Sequence, residues 1–208
     1  MTVADKVTSV RLVLAPLFFI IYLLPYFFPE TFLVNGVSWT VPVLWVLFIS
    51  SEITDMLDGL IARKRGEESE FGKLYDPFAD TLTQITYFFC FVIDGILPPF
   101  LFLAVLYREF SILFVRNRML KKGVVMGARI GGKIKTVTYI MAGGLALLAS
   151  SVVRLGMSKG LYRILTMAAG AVFIVSVIIA VVSFLDYVFV CIKTPSSNDA
   201  GNQTDVNS

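Results

Sequence analysis

The chain has 208 residues, of which 57% are hydrophobic and 16% charged, with a formal net charge of +3. The apolar share exceeds the roughly 45–50% of soluble domains, and so small a net charge leaves no electrostatic footprint for nucleic acid. Histidine is absent and only two cysteines, Cys90 and Cys191, occur; this excludes His-based general catalysis and a four-thiolate zinc site, so a bound metal would be held by oxygen, as Mg2+ or Mn2+ is.

A spanning helix needs roughly 20 apolar residues. Six stretches qualify, near residues 9–29, 40–60, 77–95, 97–117, 133–153 and 164–192. The expected fold is an all-α integral membrane protein, with residues 1–193 forming one six-helix domain. The polar tail from Thr194, residues 194–208, is expected to be disordered. The first apolar run ends in aromatic residues between Pro25 and Pro29, with no small-residue cleavage site after it. It reads as a retained helix rather than a signal peptide. With six spans both termini share one side. That side collects 14 of the 18 Lys and Arg residues, and the other collects Arg154, Lys159 and Arg163. The positive-inside rule then places both termini and the two long basic loops in the cytoplasm. Both cysteines sit in apolar runs and read as small buried hydrophobes.

The second predicted helix is apolar from Val41 through Ile49 and then turns polar at Ser50, Ser51, Glu52, Asp55 and Asp58. Asp55 and Asp58 fall on one face about a turn apart. Gly59 and Ala62 continue that face with almost no side chain, which lets a ligand or another helix approach the backbone. A short charged connector, KRGEESE, leads to the third helix. There Asp76 and Asp80 share a face at spacing i, i+4. Pro77 disfavours helical dihedrals at Asp76, so the helix is expected to start or kink there.

The fourth helix carries Arg108 and Glu109 in mid-membrane. Charges at that depth cost about 2.5–3.5 kcal/mol each on insertion scales and face a bundle interior or wet cavity. A structural ion pair and a functional role are both open for these two. The loop KKGVVMGARIGGKIKT joins the fourth and fifth helices with four glycines and five basic residues. Glycine and lysine at a helix N-terminus suit phosphate, although a basic loop also sets topology. The end of the sixth helix, Phe184 to Phe189, is aromatic and reads as an interfacial belt.

Four aspartates on two consecutive helices repel one another, and the counter-charges in sequence reach are Arg63 and the nearby lysines. Divalent cations are the natural neutraliser, because hard oxygen donors from facing helices make a Mg2+ site that keeps positions open for substrate phosphates. The residues read D-x-x-D-G-x-x-A-R, eight residues, then G-x-x-x-D-x-x-x-D, with Asp55, Asp58, Gly59, Ala62, Arg63, Gly72, Asp76 and Asp80 at the fixed positions. This resembles the signature of the CDP-alcohol phosphatidyltransferase family, complete at all eight positions.

The resemblance implies a six-helix membrane enzyme of the bacterial inner membrane with a cytoplasmic-side site. It implies that Asp55, Asp58, Asp76 and Asp80 hold Mg2+ or Mn2+, as a pair of ions, and that Asp80 takes the proton of the attacking alcohol. Gly59, Ala62, Arg63, Ser69, Gly72 and Thr8 would then contact a CDP-lipid, CDP-diacylglycerol. Thr8 to Pro16 (TSVRLVLAP), Arg108-Glu109, Arg116 and Gly132 to Thr136 (GKIKT) are similar to bacterial phosphatidylglycerophosphate synthases. That likeness implies glycerol 3-phosphate as acceptor, its phosphate met by Arg116, Lys133 and Lys135, with Arg108, Arg118 and Arg129 in reserve. DMLDG also resembles synthases that take inositol phosphate, so that acceptor stays open, followed by serine. A homodimer is a further expectation from the resemblance. A cation- or proton-coupled transporter is the competing class, and its site would sit at mid-membrane on broken helices.

Overall fold

The computed structural model describes residues 3–28, 33–34, 37–65, 72–121 and 130–193. Six helices carry these residues: α1 (Val3–Phe27), α2 (Thr40–Arg65), α3 (Gly72–Ile93), α4 (Pro99–Lys121), α5 (Ile130–Arg154) and α6 (Lys159–Lys193). A two-residue antiparallel ladder, β1 (Leu33–Val34) with β2 (Val37–Ser38), lies between α1 and α2 and is the one departure from an all-α chain among the described residues. The tail 194–208 lies outside them.

Four of the helices contain stretches long and apolar enough to cross a membrane: Lys6–Phe27, Thr40–Leu57, Gly131–Arg154 and Lys159–Phe189. α3 and α4 are of similar length but are not apolar enough throughout to be counted with them. Asp76, Asp80, Gln84 and three threonines dilute α3, and Arg108, Glu109, Arg116 and Arg118 dilute α4. At about 1.5 Å per residue each is still roughly 33–35 Å long.

Packing runs α1 against α2 and α3, α5 against α6, and α4 against α3 and α6. The core between them holds Phe18, Tyr22, Leu44, Phe48, Phe88, Phe91, Tyr139 and Phe173. Outside it, large apolar side chains such as Val13, Val46, Phe100, Phe114, Ile164 and Leu185 are exposed on every long helix, far more than a water-soluble monomer shows.

Helix ends follow local chemistry. α3 and α5 each stop in a Schellman turn. Gly95 and Gly156 take φ of +68° and +65°, and the next amides, Ile96 and Met157, reach back to the Phe91 and Val152 carbonyls at 2.9 and 3.0 Å. Ser158 caps α6, accepting from the Gly160 amide at 3.2 Å. At this same end of the bundle Arg154 lies over the Tyr22 ring, 4.4 Å from its centroid, and donates to the Tyr22 carbonyl at 2.9 Å. Asp94 accepts from Tyr22, Tyr26 and Ser150 hydroxyls. This network ties α1, α5 and the α3–α4 turn together.

Pro77 neither starts nor ends a helix. α3 begins at Gly72 and runs through it. The first four amides of a helix have no intrahelical acceptor, so a proline just past that turn removes a single bond. Asp76 and Asp80 therefore sit on continuous helix, one turn apart.

Candidate active site

Two groups of charged side chains meet at Asp80. The first lies among α1, α2 and α3 and is acidic. Arg11 of α1 is buried there, and its Nη1 donates to Asp55 Oδ1 on α2 and stands 4.0 Å from Asp80 Oδ1 on α3. Gln84, a turn beyond Asp80, donates to the same Asp80 oxygen at 2.8 Å. Thr8, a turn before Arg11 and fully buried, donates to Asp76 Oδ1 at 2.6 Å. Ser9 meets the Tyr75 hydroxyl at 2.9 Å.

Among the described side chains the cation in contact with the acidic cluster is Arg11, brought in from the first helix; Arg63, the expected counter-charge, lies outside them. Thr8, expected on the CDP-lipid side, orients an aspartate there. Both residues occur in TSVRLVLAP at spacing i, i+3, so each falls on the same face of α1. That spacing was the available signal for Arg11.

Around Arg11 the described carboxylates are Asp55, Asp76, Asp80 and, a turn before Asp55, Glu52. One guanidinium leaves this cluster net negative, a deficit that divalent cations would offset. Among the described residues no three acidic, histidine or cysteine side chains form a ready cage, and Asp58 is outside that set. The donor chemistry nevertheless fits a hard cation. Carboxylates from two helices, Asp55 and Asp80, converge on one cationic nitrogen and are partly open to solvent, at 39% and 32% side-chain exposure. Gly72 is buried at the start of α3. The side chains of Asp58, Gly59, Ala62 and Arg63, and all of Ser69 and Arg129, lie outside the described residues.

The second group is cationic. A cavity of about 210 Å³ is lined by Asp80, Thr81, Arg108, Glu109, Arg116 and Lys133, with Lys135, Thr136, Ser183 and Tyr187 completing its polar wall. Arg108 holds both Glu109 oxygens at 2.9 Å and donates through Nε to the Ala180 carbonyl of α6 at 3.1 Å. Lys135 of α5 donates to Glu109 Oε1 at 3.0 Å and lies 4.8 Å from the Tyr139 ring centroid. Glu109 thus accepts from two cations, and the alternatives left open for Arg108-Glu109 merge: the pair is structural and lines the cavity. Arg116 and Lys133 complete the basic wall. Arg118 is exposed and is not part of that lining.

Glycine shapes this wall. A Cβ on Gly131 would stand 3.0 Å from Ser183 Oγ and 3.1 Å from Ser183 Cβ, so α5 and α6 approach closely where Lys133 and Lys135 leave the helix start. Sequence reasoning gave the end of α6 no chemistry. The structure turns Ser183 and Tyr187 inward to the cavity, while Leu185 and Phe189 stay outward and apolar.

The arrangement places one carboxylate, Asp80, between an acidic cluster suited to cations and a basic cavity suited to an anion. Comparison with known proteins agrees with that chemistry. A family model described as CDP-alcohol phosphatidyltransferase matches residues 1–182. A Treponema pallidum protein named CDP-diacylglycerol–glycerol-3-phosphate 3-phosphatidyltransferase is 36% identical over 189 residues, 90% of this chain and 88% of that protein. A Bacillus subtilis protein of the same name is 32% identical over 142 residues, 66% of this chain and 72% of that protein. With Asp55 and Asp80 of the signature meeting at Arg11 and the match spanning most of its length, the chain belongs to the CDP-alcohol phosphatidyltransferase family.

Proposed function

We propose that this enzyme transfers the phosphatidyl group of CDP-diacylglycerol to glycerol 3-phosphate, giving phosphatidylglycerophosphate and CMP. The observation that carries the reading is the position of Asp80. It lines the basic cavity and also faces Arg11 beside Asp55. A phosphorylated alcohol in the cavity would lay its phosphate among Arg116, Lys133 and Lys135 and present a hydroxyl to Asp80. The relatives' names support the acceptor, and the basic wall suits a phosphomonoester better than a choline, ethanolamine or serine head group.

In the reaction the acceptor hydroxyl attacks the lipid-side phosphorus. The new O–P bond forms as the bond from that phosphorus to the CMP oxygen breaks. Asp80 accepts the hydroxyl proton as general base. Phosphoryl transfer is governed by positioning and charge. Thr8 holds Asp76 in place, Arg11 and Gln84 orient Asp80, and Glu109 holds Arg108 and Lys135 against the cavity. Asp55, Asp58, Asp76 and Asp80 would hold Mg2+ or Mn2+, two ions in this reading, whose chemistry is to neutralise the pyrophosphate and the leaving CMP. In this reading Gly59, Ala62, Arg63, Ser69 and Gly72 would contact the CDP moiety and Arg129 would serve the acceptor phosphate.

The same reading places all six helices across the bacterial inner membrane as one domain, residues 1–193, with both termini and the site cytoplasmic. The outward apolar surface and the 14-to-3 distribution of Lys and Arg support it. Purified protein offered CDP-diacylglycerol with labelled glycerol 3-phosphate, inositol phosphate or serine in parallel tests the acceptor. Turnover with glycerol 3-phosphate is expected to dominate, and preference for either of the others would overturn the assignment.

A further inference from the structure

We propose that the Tyr187 hydroxyl is a specificity-determining donor to the phosphate of the acceptor. This deepens the reading above and rests on it. Tyr187 sits in an aromatic run at the end of α6 that suits a membrane-interface belt, where a tyrosine would point outward. It does the opposite. Leu185 and Phe189 are exposed, but Tyr187 is 4% exposed. Its hydroxyl is buried and has no hydrogen-bond partner among the described residues. Buried polar groups in native proteins are nearly always satisfied, so an orphan on a residue that lines a cavity points to a ligand.

The surroundings select the ligand's chemistry. Tyr187 lines the cavity with Arg108, Arg116, Lys133 and Lys135, whose only facing carboxylates among the described residues are Asp80 and Glu109. The Arg116 Cζ lies 5.9 Å from the Tyr187 ring centroid, which orients both side chains. Ser183, one turn earlier on α6, is set against Gly131, so the helix face bearing Tyr187 is fixed at the basic wall. The phenol O–H needs an acceptor, and the four cations beside it donate only. An anionic oxygen carried in by the substrate answers both needs. The class is an alcohol phosphomonoester, whichever polyol bears it.

The test is Tyr187→Phe in the full-length protein, which removes one hydroxyl and keeps the ring against Arg116. Steady-state rates would be measured for glycerol 3-phosphate and for unphosphorylated glycerol, each at varied CDP-diacylglycerol. The expected result is a loss of about tenfold to a hundredfold in kcat/KM for glycerol 3-phosphate, as for a hydrogen bond to a charged group. Preference for glycerol 3-phosphate over glycerol would shrink by the same factor. The KM for CDP-diacylglycerol would stay within about twofold, and Tm would hold because no internal partner is lost. Unchanged discrimination between the two alcohols would overturn the proposal, as would a lower Tm with discrimination intact. A parent enzyme that prefers an unphosphorylated alcohol would overturn this inference and the proposed acceptor together. A parent enzyme selective for glycerol 3-phosphate with an indifferent Tyr187→Phe variant would overturn this inference alone.

Discussion

Replacing Arg11 with methionine keeps most of the stem volume and removes the cation in contact with Asp55. Arg11 contacts Asp55 and stands 4.0 Å from Asp80. At that separation two unit charges attract by ~1 kcal/mol in water and ~4 kcal/mol at an effective dielectric near 20. The carboxylates are 39% and 32% exposed, so solvent screening puts each pair in the lower part of that range, about 1–1.5 kcal/mol. Two pairs give about 2–3 kcal/mol, and for a chain of this size 1 kcal/mol shifts Tm by about 2–4 °C. Arg11→Met in detergent with EDTA is therefore expected to melt about 4–12 °C below the parent protein. A divalent cation neutralises the same carboxylates, so saturating Mg2+ or Mn2+ should narrow the gap, raising the variant's Tm more than the parent's. Thermal unfolding with and without metal reads both effects. A gap of the same size in EDTA and in Mg2+ would refute the idea that Arg11 and the cation share ligands. An unchanged Tm in EDTA would refute the electrostatic accounting itself.

Asp80→Asn should abolish CMP release, by about 10²–10⁴-fold or more, while the protein still inserts and unfolds at a similar temperature; retained turnover would remove Asp80 from the role of base. Chelation with EDTA is expected to stop the reaction, and Mg2+ or Mn2+ to restore it, in a CMP-release assay; full activity in metal-free buffer would exclude a cation among the aspartates. Gly131→Ala would place a Cβ 3.0 Å from Ser183 Oγ, prising α5 from α6 beside Lys133 and Lys135. A several-fold lower kcat/KM for the acceptor is expected, recovered by Ser183→Gly in the same chain, and loss without recovery would show that this close approach is not the cause.

Much of this site is local in sequence. Asp55 and Asp58 sit within one turn of α2, and Asp76 and Asp80 within one turn of α3, so helical period puts each pair on one face. Packing of α1 against both helices then brings Asp55 and Asp80 together at Arg11. The six helices were legible too; four of them are apolar over a spanning length, which leaves the backbone few other options in lipid. Even Pro77 misled only about where α3 starts, since a proline near a helix's first turn gives up one bond.

What the sequence could not convey was rotation. A helix in lipid is apolar toward its neighbours and toward the bilayer alike, so its periodicity does not say which face turns inward. Arg11 read as one more basic residue setting topology, and only packing of α1 against α2 and α3 made it the aspartates' counter-charge. Tyr187 read as an interfacial aromatic, and only the Gly131–Ser183 contact and the Arg116 ring contact show it walling a basic cavity. Glu109 acquired its second partner, Lys135, from a helix that the local pattern does not connect to it. The sequence by itself determined the helices and their acidic signature, because those depend on near neighbours. The tertiary structure decided which distant charges and hydroxyls complete the site, because side chains on separate helices meet only once the bundle has closed.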